Sequence, residues 1–312
     1  MTNLDRVDIE RCKLVFKNKM LRLMPEQGEY HATFGGVRLF REDNDSAGEP
    51  MLYKPVIIVV AQGRKCVKLG AEDRIYKPGS YFVTGIDLPT MCGIQGASSE
   101  EPYLAFSLEL DSSLIAQATA EMPLSDSNDE CSLHVTATST LEPGFFDAVL
   151  RLVELIERPE QVGMLAPLII KEIHYRLMIG PYGKRLRSLN ANGLPANQIA
   201  KAIFWLKENF TRPLIVADMA KQANMAVSTF HKYFKNVTAM SPLQYQKRLR
   251  LIEAHKLMLA SSHDACRASQ AVGYDNQQQF NREYKRLFGE PPHRNISRMR
   301  GRTLPVREID VM

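Results

Sequence analysis

The sequence predicts an α+β protein: an N-terminal antiparallel β-barrel or sandwich with a helical hairpin attached, then an all-α domain containing two short helix, turn, helix units. Three observations lead there. Apolar, β-branched runs punctuated by turn residues fill positions 30 to 110, the hydrophobic period becomes helical near Pro143, and positive charge gathers in the last third of the chain.

At 312 residues the chain has room for two domains, and 45% hydrophobic with 24% charged residues places it among globular rather than disordered chains. No apolar run approaches the roughly 20 residues that a membrane span needs. The opening MTNLDRVDIERCKLVF puts charges where a secretory signal needs an apolar core, so a cytoplasmic protein without membrane association is expected. Cys12, Cys66, Cys92, Cys131 and Cys266 are odd in number and show no CxxC spacing, which favours free thiols over disulfides or zinc. The net charge of +5 is unevenly spread: residues 214–300 hold fourteen Lys/Arg against six Asp/Glu, leaving 26 against 29 elsewhere. A basic module that meets phosphate, joined to a slightly acidic one that does not, fits that split.

Taken in order, KPVIIVVAQGRKCVKLGAEDRIYKPGSYFVTGIDLP breaks its strands at Gln62-Gly63, Leu69-Gly70-Ala71 and Lys77-Pro78-Gly79. Residues 111 to 142 include the polar AEMPLSDSNDECS, expected as an exposed loop. From Pro143, Leu152, Leu155 and Ile156, then Leu165, Leu168, Ile169 and Ile173, recur at helical spacing with a break near Pro159. That hairpin carries more apolar surface than one helix pair buries, so helices 143–180 would pack on the barrel or on a second copy in a homodimer. GPYGKRLRSLNANGLP, rich in Gly, Asn, Pro and Lys/Arg, reads as the interdomain linker over 181–195. This divides the chain into residues 1–180, the linker, and 196–312.

Beyond Pro195, Ile199, Ala202, Ile203, Leu206 and Phe210 form an apolar stripe. A short helix around 216–223, a turn at Asn224-Met225 and a second helix to Lys235 follow. Phe230, Tyr233 and Phe234 share one face of that second helix, leaving Ser228, Thr229, His231, Lys232 and Lys235 on a basic, acid-free face. Ser241 as N-cap, Pro242 and Gln244 start a rod-like helix to about Ala260. A second unit turns at Val272-Gly273-Tyr274, buries Phe280 and Tyr284, and presents Gln277, Gln278, Asn281, Arg282 and Lys285. Gln, Asn and Arg are the side chains that bond base edges in pairs. Two such units on one rigid helix would address major-groove faces roughly 34 Å apart.

The order Leu214, Ala220, Met225, Phe230, Phe234-Lys235, Met240-Ser241-Pro242, Tyr245, Arg248-Leu249-Arg250, Ala254, Val272-Gly273-Tyr274, Phe280, Arg282, Tyr284-Lys285, Phe288-Gly289 and Pro292 resembles the C-terminal domain of AraC/XylS-type transcriptional regulators. The resemblance implies sequence-specific binding to double-stranded DNA, with base contacts from Ser228, His231 and Lys232 in one helix and Gln277, Gln278, Asn281 and Arg282 in the other. It also implies a partnership with RNA polymerase, more often as an activator. Three departures stand out: Ala226-Val227 replaces Ser-Pro and removes an N-cap, Ala268-Ser269 replaces a larger aliphatic and Ala, and Asn295-Ile296 replaces Tyr-Arg. Each is expected to cost a little stability.

QGRK, PGSY and DLP resemble the N-terminal domain of one subgroup of that family, implying a cupin-like β-barrel that senses an unidentified small-molecule effector. Arg64, Lys65, Cys66 and Cys92 are the candidate effector-binding residues, the cations for an anion and the thiols for an electrophile. Solvated cations and inert buried thiols are the plainer readings. His31 is the one histidine before residue 134, so no metal and no cofactor are expected. The competing function, a cupin-type enzyme tethered to DNA, needs a nucleophile with its base or a metal-ligand set, and neither shows as a constellation.

Overall fold

The structure is a computed structural model and describes residues 3–70, 72–122, 139–140, 142–260, 264–300 and 304–309. Helix α1 (Asn3–Leu23) precedes β1 (Gly28–His31), β2 (Val37–Glu42), β3 (Ser46–Tyr53), β4 (Val56–Gln62), β5 (Arg64–Leu69), β6 (Glu72–Tyr76), β7 (Ser80–Thr84), β8 (Leu88–Gln95) and β9 (Tyr103–Glu109). Next come α2 (Ser112–Glu121), β10 (Ser139–Thr140), α3 (Pro143–Glu154), α4 (Pro159–Ile179) and α5 (Gly183–Asn190). The C-terminal part consists of α6 (Pro195–Glu208), α7 (Val216–Gln222), α8 (Val227–Thr238), α9 (Pro242–Ala260), α10 (Ala265–Ala271), α11 (Gln277–Phe288), α12 (Pro292–Arg300) and β11 (Val306–Glu308).

Two sheets face each other, one ordered β10-β7-β4-β9-β2-β1-β11 and the other β3-β8-β5-β6. The expected turns at Gly63, Gly70 and Gly79 all join consecutive strands, and Gly63 adopts φ 76°, a left-handed conformation that a side chain resists. VIIVVAQ in β4 and YLAFSLE in β9 lack alternation because both faces of the larger sheet are covered. Val56, Ile58, Val60 and Ala105 face the smaller sheet, whereas Ile57, Val59, Phe106 and Leu108 face helices. The hairpin α3–α4 covers that outer face together with α1, whose buried Phe16 meets Phe146 edge-on at 5.3 Å.

Several sequence expectations change here. Helix α1, with buried Phe16, Met20 and Met24, and helix α2 arise where no element was foreseen. The segment read as a linker is mostly helix α5, because Leu186 and Leu189 lie one turn apart and both bury. The C-terminal part is not wholly helical: β11 returns to lie parallel beside β1, with Glu29 N–H bonded to Pro305 O at 3.0 Å and Ile309 buried. His31 sits in a strand, its Nε2 2.7 Å from Glu29 Oε1. Most of the loop AEMPLSDSNDECS, including Cys131, lies outside the described residues.

Candidate nucleic-acid interface

The first unit, α7 to α8, turns through Asn224 at φ 52°, a left-handed conformation that Asn tolerates, and Met225 N–H closes the turn on Ala220 O at 2.9 Å. Helix α8 starts without a side-chain cap at Ala226, as the missing Ser implied. Phe230, Phe234 and Val237 bury one face, and Phe234 meets Tyr245 of α9 edge-on at 5.6 Å. With that face anchored, Ser228, Thr229, His231, Lys232 and Lys235 all stand exposed.

Helix α9 begins with the foreseen reciprocal cap: Gln244 N–H donates to Ser241 Oγ at 3.3 Å and Ser241 N–H to Gln244 Oε1 at 3.0 Å. The second unit, α10 to α11, repeats the first. Phe230 and Phe280, Phe234 and Tyr284, and the left-handed helix ends Ala239 and Gly289 are each fifty positions apart. Gly273 takes the place of Asn224, and Tyr274 N–H closes on Ser269 O at 3.0 Å. Helix α11 is capped, Asn276 Oδ1 accepting Gln279 N–H at 3.0 Å. Phe280, Tyr284 and Phe288 are buried, while Gln277, Gln278, Asn281, Arg282 and Lys285 are exposed.

All ten positions expected to read DNA therefore lie on the outward faces of two equivalent helices. Among the described residues, Lys235, Arg282 and Lys285 are in no ion pair, in contrast to Lys247, which binds Glu283 at 2.5 Å. The Asn295 departure is compensated: buried Asn295 accepts the Tyr284 hydroxyl at 2.8 Å, and the hydroxyl also contacts His255 Nδ1 at 2.8 Å. Sequence reasoning did not single out Arg250, which binds four backbone carbonyls. Its signal was present in Arg248-Leu249-Arg250, because a cation four residues after buried Gln246 shares that residue's helix face.

In the barrel, the four candidate effector residues divide. Val67 and Leu69 point inward, so alternation turns Lys65 inward and Arg64 and Cys66 outward. The Lys65 ammonium lies 5.7 Å from the Tyr53 ring centre and 5.9 Å from that of Tyr103. Cys92 is buried with its Sγ 3.2 Å from the Tyr53 hydroxyl. Burial pushes the Cys92 thiol up, opposed by Lys65 and the Tyr53 hydrogen bond, and burial with Asp73 pushes Cys66 up against the pull of Arg64. Neither environment favours the thiolate. Among the described residues no three His, Cys, Asp or Glu side chains gather as a metal site, and no helix is long and apolar enough to cross a membrane.

The fold and the two exposed helices define a class: a double helix-turn-helix domain carried on a β-barrel domain. Residues 33–185 match the AraC-type transcriptional regulator N-terminus and residues 219–297 a helix-turn-helix domain. The chain belongs to the AraC family of transcriptional regulators. Curated relatives include the transcriptional activator RhaS of Pectobacterium atrosepticum, 26% identical over 32% of this chain and 36% of that protein. Another is the transcriptional regulator ExsA of Pseudomonas aeruginosa, 26% identical over 44% of this chain and 49% of its own length. The chain thus spans about half, or less, of these relatives. ToxT of Vibrio cholerae, solved with an unsaturated fatty acid, shares the fold at 10% identity, with a TM-score of 0.54 over 83% of this chain and 94% of that one. ToxT bound to (E)-4-(8-methylnaphthalen-1-yl)but-3-enoic acid gives 0.56 at 12% identity, over 84% and 97%.

Proposed function

We propose that this protein binds double-stranded DNA sequence-specifically through α8 and α11 and regulates transcription, as an activator working with RNA polymerase in the cytoplasm. The observation that carries this reading is the paired, acid-free outward face: Ser228, Thr229, His231, Lys232 and Lys235 on one helix, Gln277, Gln278, Asn281, Arg282 and Lys285 on its repeat. The cations would supply most of the affinity by displacing counterions, and the amides with Arg282 the discrimination.

The N-terminal domain is the proposed seat of a small-molecule effector, with Lys65 and Cys92 the inward-facing residues to test, and Arg64 and Cys66 their outward counterparts. Support comes from Lys65, whose ammonium lies against aromatic rings and carries no carboxylate partner among the described residues. Homodimerisation through helices 143–180 is supported by α4, which leaves Met164 78% and Leu168 64% exposed on a helix otherwise packed on the barrel.

Selection of bound duplexes from a random pool, followed by footprinting of the best sequence, tests the function. Recovery of a motif with two half-elements about one helical turn apart is expected. Diffuse, salt-sensitive binding without a shared motif would reduce the helical domain to a nonspecific anchor.

A further inference from the structure

The two reading units touch. The loop leaving α6 belongs to the first unit, the turn between α10 and α11 to the second, and they meet where Gly273 approaches Thr211. A β-carbon on Gly273 would lie 2.2 Å from Thr211 O. Arg250, in the middle of α9, spans this junction. Its Nε donates to Phe210 O at 2.7 Å, its Nη2 to Thr211 O at 3.0 Å and Arg212 O at 2.9 Å, and its Nη1 to Gly273 O at 2.8 Å. One turn earlier, buried Gln246 donates to Phe210 O at 2.9 Å and Arg212 O at 2.7 Å. Phe210 itself packs against the cores of both units.

A planar guanidinium offers donors in a fixed fork, so four carbonyls on two segments hold each other at one distance and one rotation. Arg250 and Gln246 lie four residues apart on one helix face, so the junction is indexed to the axis of α9. The Tyr274 ring, whose centre is 5.7 Å from the Arg250 guanidinium, adds a second hold on the turn that leads into α11.

We propose that Arg250, together with Gln246 and the bare backbone of Gly273, is a positioning clasp that sets the separation and rotation of α8 relative to α11. It thereby fixes the spacing of DNA half-elements the protein accepts. This rests on the DNA-binding reading above. Without the clasp each helix keeps its own exposed side chains, but their mutual phase on the groove is loosened.

The test uses the full chain and the duplex selected by the wild-type protein, remade with one or two base pairs inserted or removed between half-elements. Each base pair shifts the second element by about 3.4 Å and roughly 34°. Wild type should lose about tenfold or more in affinity per base pair of change. Arg250→Ala should bind the original duplex less well, yet vary only about threefold across the spacing series. Arg250→Lys, which reaches fewer carbonyls, should lie between, and Gly273→Ala, which forces Thr211 away, should shift or flatten the profile without touching the arginine. Circular dichroism and melting temperature identify folded variants, and if Arg250→Ala fails to fold, the other two carry the comparison. A folded variant set that loses affinity equally at every spacing, keeping the sharp wild-type profile, overturns the clasp while leaving DNA recognition intact. If the wild-type protein selects no motif, the functional reading falls and the clasp with it.

Discussion

Lowering the pH from 7.5 to 5 should loosen the second reading unit by about 2 kcal/mol through one buried histidine. His255 is 3% exposed, its ring stacks on Phe288 at 5.1 Å, and its Nδ1 lies 2.8 Å from the Tyr284 hydroxyl, which donates to Asn295. Burial pushes its pKa down to about 4; a hydrogen bond in which Asn295 accepts from the ring opposes that, and the Arg298 charge reinforces it. The unfolded chain takes up this proton below about pH 6.5, the folded chain only near pH 4, so the stabilisation is complete above pH 6.5 and is lost as pH falls through that window. The loss works out at about 2 kcal/mol by pH 5 and about 3 kcal/mol once pH 4 is passed. His174, buried in the N-terminal half and also held below its ordinary pKa by burial, adds a similar trend there, so the readout must be local. Amide exchange of peptides from α9 and α11, corrected for intrinsic rates, supplies it. Opening free energies that match at pH 7.5 and 5, or a step that persists in His255→Gln, would refute the assignment.

Three further outcomes follow from single atoms. Ala226 already has the extended backbone of an N-cap and is exposed, so Ala226→Ser should raise the stability of the first unit by about 1 kcal/mol in urea unfolding; no gain would mean the cap geometry is not realised. Arg282→Ala should weaken binding by about 1–3 kcal/mol and relax preference at one base pair, whereas Lys285→Ala should weaken all sequences alike and lower the salt slope by about 1, as measured by titration at several salt concentrations. Among the described residues the buried Tyr103 hydroxyl has no hydrogen-bond partner, so Tyr103→Phe should leave stability unchanged or raise it by about 1 kcal/mol, and a drop in melting temperature would show that it is bonded after all.

The C-terminal units were legible because their signals are local. A cap, a turn residue and aromatic side chains at helical spacing determine each unit, and Ser241, Gly273 and Phe280 behave as their neighbours in sequence require. What was hidden depends on distant partners. Helix α1 has scattered apolar residues that make sense only against Phe146 and the outer face of the larger sheet, and α5 reads as a linker because its Gly, Asn and Lys/Arg content masks the two leucines that bury. The strand Val306–Glu308 carries no pattern of its own, since all three residues are exposed and its register comes from the free edge of β1. Alternation puts Lys65 and Cys66 on opposite faces, but which of them points inward is decided only by the burial of Val67.

The barrel grips the two reading units unequally, and this shapes how a signal would travel. The turn between β7 and β8 inserts Ile86 and Leu88 into the core that holds Ile203, Phe230 and Phe234. Asp87 between them binds Lys207 Nζ at 2.9 Å through its carboxylate and accepts the Tyr245 hydroxyl at 2.6 Å through its carbonyl. The first unit therefore shares its packing with the barrel interior, where Lys65, Tyr53 and Cys92 sit. The second unit has its own core, to which the barrel contributes Met91. A displacement inside the barrel would thus act on the first unit through packed side chains and on the second through α9 and the contacts of Arg250. Because close-packed interiors yield by discrete shifts rather than continuous deformation, such a displacement would alter the relation between the two reading helices more readily than the internal shape of either one.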